Sequence, residues 1–438
     1  MKLQALLISV CLAASACGGG APLTDQSSTY GPKPVLPPPQ TGGLVPTIKV
    51  AEAVGWPEGA APTAPAGFTV TRFASGLSHP RWMKLLPNGD ILVAEAATTR
   101  SRGGLTAAAR NAIQERAGAI EDEGGNRIVL LRDGDGDGDV DEKHVLITGL
   151  NQPFGMELIG AHLYIANTDA VYRYPYEENA TRISGQGERI LSLPYNEGAN
   201  GHWTRDLLAK PDGSKLYVSV GSVSNIPENE DAFPLETRRA NILEFNPDGT
   251  GERVFAAGLR NPNGLAWEPV SGALWVAVNE RDGLGDDLVP DYMTSVRDGA
   301  FYGWPYSYFG QHLDPRVEPQ NPELVSRALA PDYALGAHTA SLGLAFYTAN
   351  RFPEHYRGGV FIGQHGSWNR SELVGYKVIF VPFANGAPNG AHEDFLTGFL
   401  NDRGEAQGRP VGVAVDRTGA LLVADDVGGI IWRVARAS

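Results

Sequence analysis

A pattern of short apolar strands recurs along the sequence from about residue 67 to its end. Each copy opens with a Gly-containing loop, often Gly-Leu-x-x-Pro as at 76–80, and continues through strands separated by turns such as Pro-Asn-Gly at 87–89. The copies begin at Gly76, Gly149, Gly201, Gly258, Gly336 and Gly408. One such unit is a small antiparallel sheet that cannot bury its faces alone, whereas about six around an axis bury both faces and leave only short edges. The repeat therefore predicts an all-β fold, a six-bladed β-propeller of four-stranded antiparallel blades.

The uneven spacing of the copies leaves two stretches to be assigned. Residues 105–120 are rich in Ala, Arg and Gln and are predicted to form a helical insert. Residues 316–332 leave open an alternative with seven blades, in which this segment lies inside the extra blade. The 54 Gly and 31 Pro residues of the chain suit a fold with many short strands and tight turns.

The charge and the missing motifs exclude several classes of function. The formal net charge of −14 would repel the phosphates of nucleic acid, so no nucleic-acid partner is expected. The sequence has no Rossmann fingerprint, no phosphate-binding loop and no Ser-His-Asp motif, so neither NAD nor a serine nucleophile is expected.

The first residues are typical of an exported bacterial protein. Residues 3–12 form an apolar run that is too short to span a bilayer. The following Ala14-Ser15-Ala16-Cys17 resembles a lipobox, although Ala14 stands where Leu is usual. We therefore predict a lipoprotein signal peptide over 1–17, with a lipid on Cys17 as the only membrane contact. The alternative is plain secretion after cleavage at Ala16.

The expected domain organisation follows from this signal. Residues 18–65 are rich in Gly, Pro, Ser and Thr and are predicted to be a tether, with the alternative that part of it lies on the domain surface. Residues 66–438 are predicted to form the propeller. Cleavage before Cys17 would remove Cys11, the only other cysteine, which excludes cysteine catalysis and cysteine metal sites in the mature domain. The expected location is the periplasm or the outer membrane of a bacterium.

In a propeller the loops before the innermost strands meet at one end of the axis. We therefore expect one cluster of Arg81, Gln152, His202, Arg260, Asn261, His338, His365 and Arg409. A neutral imidazole such as His202 is suited to act as a general base, and the alternative is a histidine that caps a turn. Arg260 can stabilise developing negative charge, and the alternative is a structural arginine between blades.

Three further segments carry candidate ligands. The acidic loop at 279–288 offers oxygen atoms for Ca²⁺, and the alternative is a solvated turn. Asp133, Asp135 and Asp137 alternate with Gly as in an EF-hand loop, but no Glu follows at the twelfth position, so a structural Ca²⁺ and an empty turn remain equally open. In the segment 364–370, Trp368 can stack on a flat ring, but a buried structural Trp is the preferred interpretation of that residue.

Five motifs in this order resemble the PQQ-dependent sugar dehydrogenases, where PQQ is pyrroloquinoline quinone, and especially their sorbosone dehydrogenase-like and pyranose dehydrogenase members. The resemblance covers about residues 67–434. It rests on Gly201-His202-x-Thr204-Arg205, Leu259-Arg260-Asn261-Pro262-x-Gly264-Leu265, Asn279-Glu280-Arg281-Asp282 with Gly285-Asp286-Asp287, Tyr302-Gly303-Trp304-Pro305, and His365-Gly366-Ser367-Trp368-Asn369-Arg370.

The resemblance implies roles for individual residues. His202 matches the base that takes the proton from the substrate hydroxyl while hydride moves to C5 of PQQ, and Arg260 matches the residue that polarises the C5 carbonyl. The segment at Glu280, Arg281, Asp282 and Gly283 matches the loop whose backbone carbonyls hold an active-site Ca²⁺. The matching cofactor-binding positions are Arg81, Asn261, His365, Arg370 and Arg409. Gln152 and His338 are also predicted to bind the cofactor, because they belong to the expected loop cluster.

Two departures from the soluble glucose enzymes of the family point to its sorbosone and pyranose branch. His365 and Arg370 stand where those enzymes use a Lys, and Arg281-Asp282-Gly283 replaces their Gly-Pro. The predicted function is oxidation of an aldose or sugar aldehyde with PQQ and Ca²⁺, with a cytochrome or the quinone pool as electron acceptor. The alternatives are a calcium-dependent lactonase-type propeller and a non-catalytic propeller that binds glycan or protein.

Overall fold

The computed structural model describes residues 26–41, 47–101, 104–120, 125–195 and 201–437. Six sheets of the described chain contain four or more antiparallel strands and are arranged as the blades of a propeller. The predicted fold class, six blades of four strands, is therefore confirmed. The seven-blade alternative is wrong, because residues 316–332 contain only the short helix Pro322–Arg327 and the connections on either side of it.

The first three blades follow one another along the chain. Blade 1 comprises Pro80–Leu85, Ile91–Glu95, Arg127–Arg132 and Glu142–Ile147. Blade 2 comprises Met156–Ile159, His162–Ala166, Ala170–Pro175 and Glu188–Ser192. Blade 3 comprises Leu207–Ala209, Leu216–Val220, Asn241–Phe245 and Arg253–Ala257.

The last three blades include two strands from the N-terminal part of the chain. Blade 4 comprises Asn261–Trp267, Leu274–Asn279, Pro290–Val296 and Tyr333–Ala337, with Tyr30–Gly31 added at its outer edge. Blade 5 comprises Ser341–Phe346, Val360–Gln364, Lys377–Val381 and Glu393–Leu396. Blade 6 comprises Pro410–Val415, Leu421–Asp425, Ile430–Arg436 and Phe68–Ala74. The strand Phe68–Ala74 pairs with Ile430–Arg436, so the two ends of the domain close the ring together.

The short elements lie outside the blades. The helix Gly104–Arg116 lies between the second and third strands of blade 1, where residues 105–120 are predicted to be helical. Among the described residues, 3₁₀ helices span Gln26–Thr29, Glu230–Glu236 and Glu354–Tyr356. Small hairpins pair Ser307–Tyr308 with His312–Leu313 and Phe383–Ala384 with Ala387–Pro388. No described helix is long and apolar enough to cross a bilayer.

The hydrophobic core is divided among the interfaces between neighbouring blades. Each of six buried apolar clusters joins two adjacent blades, and together they run around the ring. The second strands of blades 1, 3 and 6 are buried at every position, because both faces of each sheet are covered by neighbours. This explains their continuous apolar sequences, which do not alternate as a strand with one exposed face would.

The first strand of each blade is its inner strand, and the six inner strands contact one another in a closed ring around the axis. Glycines allow these backbones to approach. A Cβ atom on Gly343 would lie 2.3 Å from the carbonyl oxygen of Val411, and one on Gly412 would lie 2.7 Å from that of Arg81. Both distances are shorter than a Cβ tolerates, so a glycine is required at each of these two positions.

Strand register brings two sets of loops to one end of the axis, which we call the upper face. The first residue of an inner strand pairs with the last residue of the second strand, as in Pro80 with Glu95, Asn261 with Asn279, Ser341 with Gln364 and Pro410 with Asp425. The loop before each inner strand and the loop after each second strand therefore emerge together at the upper face.

The described part of the segment predicted as a tether contacts the propeller along much of its length. Gln40 donates its backbone N–H to Leu284, and Lys49 donates its own to Trp368. Further along, the Trp56 indole Nε1–H donates to the buried Asp425 carboxylate at 2.6 Å. This part of the segment thus lies on the domain surface across blades 4, 5 and 6.

Candidate functional site

The motif residues expected to cluster come from both sets of loops at the upper face. Arg81, His202, Arg260, Asn261, His338 and Arg409 lie in or beside loops that precede inner strands, as expected. His365 instead follows the second strand of blade 5, so its predicted position before an inner strand is wrong. The loops after second strands also supply Asn225, Asp282, Asn369 and Asp426. Sequence reasoning did not single out Asn225 or Asp426, because neither belongs to the repeated loop that opens each unit.

His202 is held as a neutral imidazole with one nitrogen free. Its Nδ1 lies 2.8 Å from the carbonyl oxygen of Ser222, which can only accept, so Nδ1 carries the proton and donates it. Its Nε2 makes no hydrogen bond to the described residues and is left as a bare acceptor. Burial, with the nearby charge of Arg260, lowers the pKa of His202 to about 3. The ring is therefore unprotonated at Nε2 at neutral pH.

Arg260 is linked to His202 by hydrogen bonds to the backbone of Ser222. The N–H of Ser222 donates to the carbonyl oxygen of Arg260 at 2.8 Å, so one residue contacts both. The guanidinium Nη1 donates to the carbonyl oxygen of Glu280 at 2.5 Å, and Nη2 donates to the Asn225 side-chain oxygen at 3.0 Å. Nη2 also lies 3.4 Å from the Asp282 carboxylate. The cation is thus fixed by several acceptors in a buried position.

Asp282 is the centre of a second group of donors. Its carboxylate accepts from the side-chain amide of Asn369 at 2.5 Å and contacts His338 Nδ1 at 3.3 Å. Burial alone favours the protonated acid, but Arg260 and His338 hold the pKa of Asp282 well below its usual range. His338 Nε2 lies 2.9 Å from the carbonyl oxygen of Gly285. The Asp282 side chain is therefore ionised and is held by residues from blades 4 and 5.

The other residues of the predicted calcium loop make contacts of their own. The Glu280 carboxylate accepts from the backbone N–H of Arg281 at 3.1 Å, and burial raises its pKa to about 7. The Arg281 guanidinium pairs with Asp314 at 3.2 Å, and both side chains are almost completely buried. Gly283 adopts a φ of +87° and accepts from Arg316 through its carbonyl oxygen at 3.4 Å. Arg281 and Gly283 therefore offer only backbone oxygen atoms as ligands, whereas Glu280 also has a buried carboxylate.

A second basic group lies between blades 1, 5 and 6. The Arg81 guanidinium and His365 Nε2 both contact one oxygen of Asp426, the histidine at 2.9 Å. Burial favours the protonated acid, but His365 and Arg81 hold the pKa of Asp426 well below its usual range. Arg81 also lies over the ring of Trp203, with 5.3 Å to the centroid. Since Trp203 follows His202 in sequence, the group formed by Arg81 and His365 is adjacent to the group formed by His202 and Arg260.

Arg409 is the least compensated cation of the described site. Its side chain is buried, and no carboxylate of the described residues lies within ion-pair distance of it. Its hydrogen bonds are long, 3.4 Å to the carbonyl oxygen of Ala51 and 3.5 Å to the Tyr376 hydroxyl, and its guanidinium lies over the Tyr376 ring with 5.3 Å to the centroid. A buried guanidinium with such weak partners is suited to bind an anionic ligand.

The remaining predicted cofactor residues have partners within the protein. Arg370 donates to the backbone oxygen of Asp286 at 2.5 Å and to the Asp287 carboxylate at 2.8 Å. Gln152 donates its side-chain amide to Ala97 at 2.9 Å and has a φ of +48°. Arg370 is thus turned toward the loop at 286–287, and Gln152 bridges the loops of blades 1 and 2.

Several buried polar atoms of this face have no partner among the described residues. They are Arg81 Nε, Arg260 Nε, Asn261 Oδ1, Arg370 Nε, Arg409 Nε and Asp426 Oδ1. Buried polar groups in native proteins are almost always satisfied, so these atoms are available to a polar ligand at this face.

Trp368 and the Asp-Gly run differ in part from what their sequences suggest. Trp368 is 43% exposed at the upper face, so the preferred interpretation of a buried structural Trp is wrong. Asp133, Asp135 and Asp141 bring carboxylate oxygens within 4.8 Å of one another, whereas Asp137 is outside this group. The run follows the third strand of blade 1 at the end opposite the upper face, so it does not belong to the candidate site.

Known proteins similar to this chain include sugar dehydrogenases. An uncharacterized protein of Borreliella burgdorferi is 31% identical over 300 residues, which cover 65% of this chain and 76% of that protein. The PQQ-dependent pyranose dehydrogenase of Coprinopsis cinerea is 24% identical over 442 residues, which cover 85% of this chain but only 54% of that protein.

Solved structures share the propeller fold. The holo form of the pyranose dehydrogenase PQQ domain from Coprinopsis cinerea has a TM-score of 0.69 at 21% identity, covering 89% of this chain and 100% of that chain. The calcium structure of the Trichoderma reesei carbohydrate-active enzyme of family AA12 has the same TM-score and identity, covering 89% and 99%. The predicted resemblance to PQQ-dependent sugar dehydrogenases is thus confirmed. A family profile described as TrAA12-like matches residues 62–293 and 312–437, and the chain belongs to that family.

Proposed function

We propose that this protein is a PQQ- and calcium-dependent dehydrogenase that oxidises an aldose or a sugar aldehyde. The observation that carries the proposal is the pairing of His202, with its Nε2 free, and the buried cation Arg260 through Ser222. A neutral base beside a fixed cation suits an oxidation in which a hydroxyl oxygen loses a proton and the carbon that bears it loses a hydride. Membership of a family whose similar proteins include a PQQ-dependent pyranose dehydrogenase supports the same conclusion.

The residues of the upper face fit PQQ, which is a flat tricyclic quinone with carboxylate groups. Arg409 lacks a carboxylate partner among the described residues and is proposed to bind one of those carboxylates. Arg81 and Arg370 each retain a buried Nε–H without a described partner and are proposed to bind further oxygen atoms. Asn261, with its unpaired Oδ1, and His365, His338 and Gln152 complete the proposed set.

The loop at 280–285 is proposed to hold Ca²⁺. The Asp282 carboxylate stays ionised, which gives the site the hard, negatively charged oxygen that Ca²⁺ prefers. The backbone oxygens of Glu280 and Gly283 each accept one hydrogen bond and keep a second lone pair for a metal ion. The Trichoderma relative was solved as a calcium structure, which supports the same choice of ion.

The mechanism assigns one task to each protein group. His202 Nε2 takes the proton of the sugar hydroxyl, and the Ser222 carbonyl stabilises the resulting charge on the ring through Nδ1–H. Arg260 supplies positive charge where electron density accumulates as the bond to carbon breaks. Bound PQQ would supply the hydride acceptor, and Ca²⁺ would supply a Lewis acid. Arg81, Arg370 and Arg409 would hold the flat cofactor.

The electron acceptor is proposed to be a cytochrome or the quinone pool, and the protein is proposed to be an exported lipoprotein. The signal peptide and Cys17 lie outside the described residues, so this part rests on the sequence. Metabolic labelling with a radioactive fatty acid tests it, because replacing Cys17 with Ser should abolish labelling. Labelling of the Ser variant at the wild-type level would exclude acylation at this residue.

Reconstitution tests the enzymatic proposal directly. Purified protein is incubated with PQQ and Ca²⁺, and reduction of an artificial electron acceptor is measured with a panel of aldoses and sugar aldehydes. We expect activity that requires both PQQ and Ca²⁺. His202→Ala should lower kcat by at least ~10²-fold while changing the PQQ Kd little, since a general base contributes ~10²–10⁴-fold. Arg433→Met, which alters a cation of blade 6 paired with Asp416 away from the upper face, is the control.

The outcomes separate the competing functions. Lactone hydrolysis without PQQ would favour a hydrolase. Glycan binding without turnover would favour a binding module. Full activity of His202→Ala would remove the assignment of this residue as the base.

A further inference from the structure

Asn225 joins two parts of the candidate site that both belong to blade 4. It lies in the loop after the second strand of blade 3, and its side-chain oxygen accepts from Arg260 Nη2 at 3.0 Å. The same oxygen accepts the backbone N–H of Asp282 at 2.8 Å. Its Nδ2 donates to the carbonyl oxygen of Asp282 at 2.9 Å. One amide therefore contacts both the cation and the backbone of the loop at 280–285.

The loop that carries Asn225 is itself rigidly held. Trp304 donates its indole N–H to the carbonyl oxygen of Asn225 at 3.0 Å. The Glu236 carboxylate accepts the backbone N–H groups of Val223 at 2.9 Å and Ser224 at 3.0 Å. Ser222 in the same loop accepts from His202. These hydrogen bonds hold the loop at 222–225 in place. The same loop contacts His202 and Arg260 through Ser222, and Asp282 through Asn225.

We propose that Asn225 is a positioning residue that sets the distance between the Arg260 guanidinium and the loop at 280–285. This role requires an oxygen that accepts from both Arg260 and the Asp282 N–H, and an N–H that donates to the Asp282 carbonyl oxygen. The Asn side-chain amide supplies both groups. Leu has a similar size but neither function. A carboxylate keeps the acceptor, loses the donor and adds a negative charge beside Asp282. The catalytic consequence of this role rests on the proposed function, whereas the role itself does not.

Asn225→Leu and Asn225→Asp test the role in the cofactor-free protein and in the reconstituted protein. Hydrogen exchange of the Asp282 amide is measured first, without cofactor. We expect exchange at least about fivefold faster in Asn225→Leu, because a partly buried hydrogen bond is lost, and near wild-type exchange in Asn225→Asp, which keeps the acceptor. After reconstitution, we expect both variants to have a PQQ Kd about tenfold higher and a kcat about tenfold lower than wild type. The sugar KM should change less than about threefold.

Asn246→Leu is the matched control. Asn246 is also a partly buried amide of blade 3 that both accepts, from Lys215 Nζ at 2.7 Å, and donates, to Thr250 at 2.9 Å, but it lies at the opposite end of the blade. Asn246→Leu should leave the Asp282 amide, the PQQ Kd and kcat at wild-type values. If Asn225→Leu does not fold, Asn225→Asp still decides the question through the PQQ Kd and kcat.

Two results would overturn the proposal. One is wild-type exchange of the Asp282 amide in Asn225→Leu. The other is a PQQ Kd and kcat in the Asn225 variants that match those of Asn246→Leu. A wild-type protein that binds no PQQ would instead defeat the proposed function, and the exchange comparison would then still decide whether Asn225 holds the loop.

Discussion

The buried pair of Arg281 and Asp314 predicts an unusual pattern of mutational stability. The two side chains are 1% and 2% exposed, with Arg281 Nε 3.2 Å from Asp314. Burial lowers the pKa of Arg281 and raises the pKa of Asp314, in each case despite the opposite charge of the partner. Desolvation therefore outweighs the mutual attraction. Removing one member of the pair should lower the free energy of unfolding strongly, whereas removing both should change it little.

Single and double variants give the magnitude. Arg281→Met leaves Asp314 buried without its cation, and Asp314→Asn leaves Arg281 without its anion, so each should lower the free energy of unfolding by about 3–5 kcal/mol. At about 2 °C per kcal/mol for a large domain, each should lower Tm by roughly 6–10 °C. The double variant Arg281→Met/Asp314→Asn removes both charges and should lie within about 2 °C of wild type.

Differential scanning fluorimetry of the four proteins measures the cycle. Arg403→Met is the control, because the Arg403 side chain is 77% exposed and its ion pair with Glu405 is screened by solvent. A double variant whose Tm loss equals the sum of the two single losses would refute the reasoning, because independent effects would mean that the two charges do not compensate each other.

Three further predictions follow from other contacts. The pKa of His202 is lowered from 6.5 in the unfolded chain to about 3, so its contribution to stability is fully present above about pH 6.5 and is lost as pH falls toward 3. The difference in unfolding free energy between wild type and His202→Gln, measured by denaturant titration, should therefore change below pH 6.5 and stay constant from pH 7 to 9. Trp56→Phe removes the donor to Asp425 and should cost about 1.5–3 kcal/mol, measured as Tm, with faster proteolysis within residues 47–60; unchanged proteolysis would contradict this. Gly343→Ala brings a Cβ atom to 2.3 Å from Val411 and should lower Tm by more than 6 °C, whereas Gly272→Ala, in an open turn with a positive φ, should cost only about 1 kcal/mol.

Much of the propeller could be predicted because its determinants are local and repeated. Apolar strands separated by turns such as Pro-Asn-Gly at 87–89 specify small antiparallel sheets, and six copies require a closed ring. The helix Gly104–Arg116 was predicted for the same reason, since its composition alone favours helix. Pairing of the chain ends through Phe68–Ala74, and the fifth strand Tyr30–Gly31 of blade 4, could not be predicted, because they depend on contacts between segments remote in sequence.

The sequence indicated most residues of the candidate site, including Asp282 and His365 in loops after second strands, but it missed Asn225 and Asp426. His202 and Arg260 stand in motifs that open a repeat, so their convergence followed from the fold. Asn225 and Asp426 lie after second strands, in loops that share no motif. Their importance is visible only from the hydrogen bonds that they make to Arg260 and to Arg81.

The sequence by itself determined the six sheets, their order around the axis and the loops that open each unit, because strand propensity, turn chemistry and repetition act over short distances along the chain. Only the tertiary structure decided which side chains meet. It turned Arg281 toward Asp314, exposed Trp368 and directed Asn225 of one blade to Arg260 and Asp282 of the next. These contacts arise when the ring closes and brings loops from different blades to one face, so their partners are set by packing geometry that no local pattern contains.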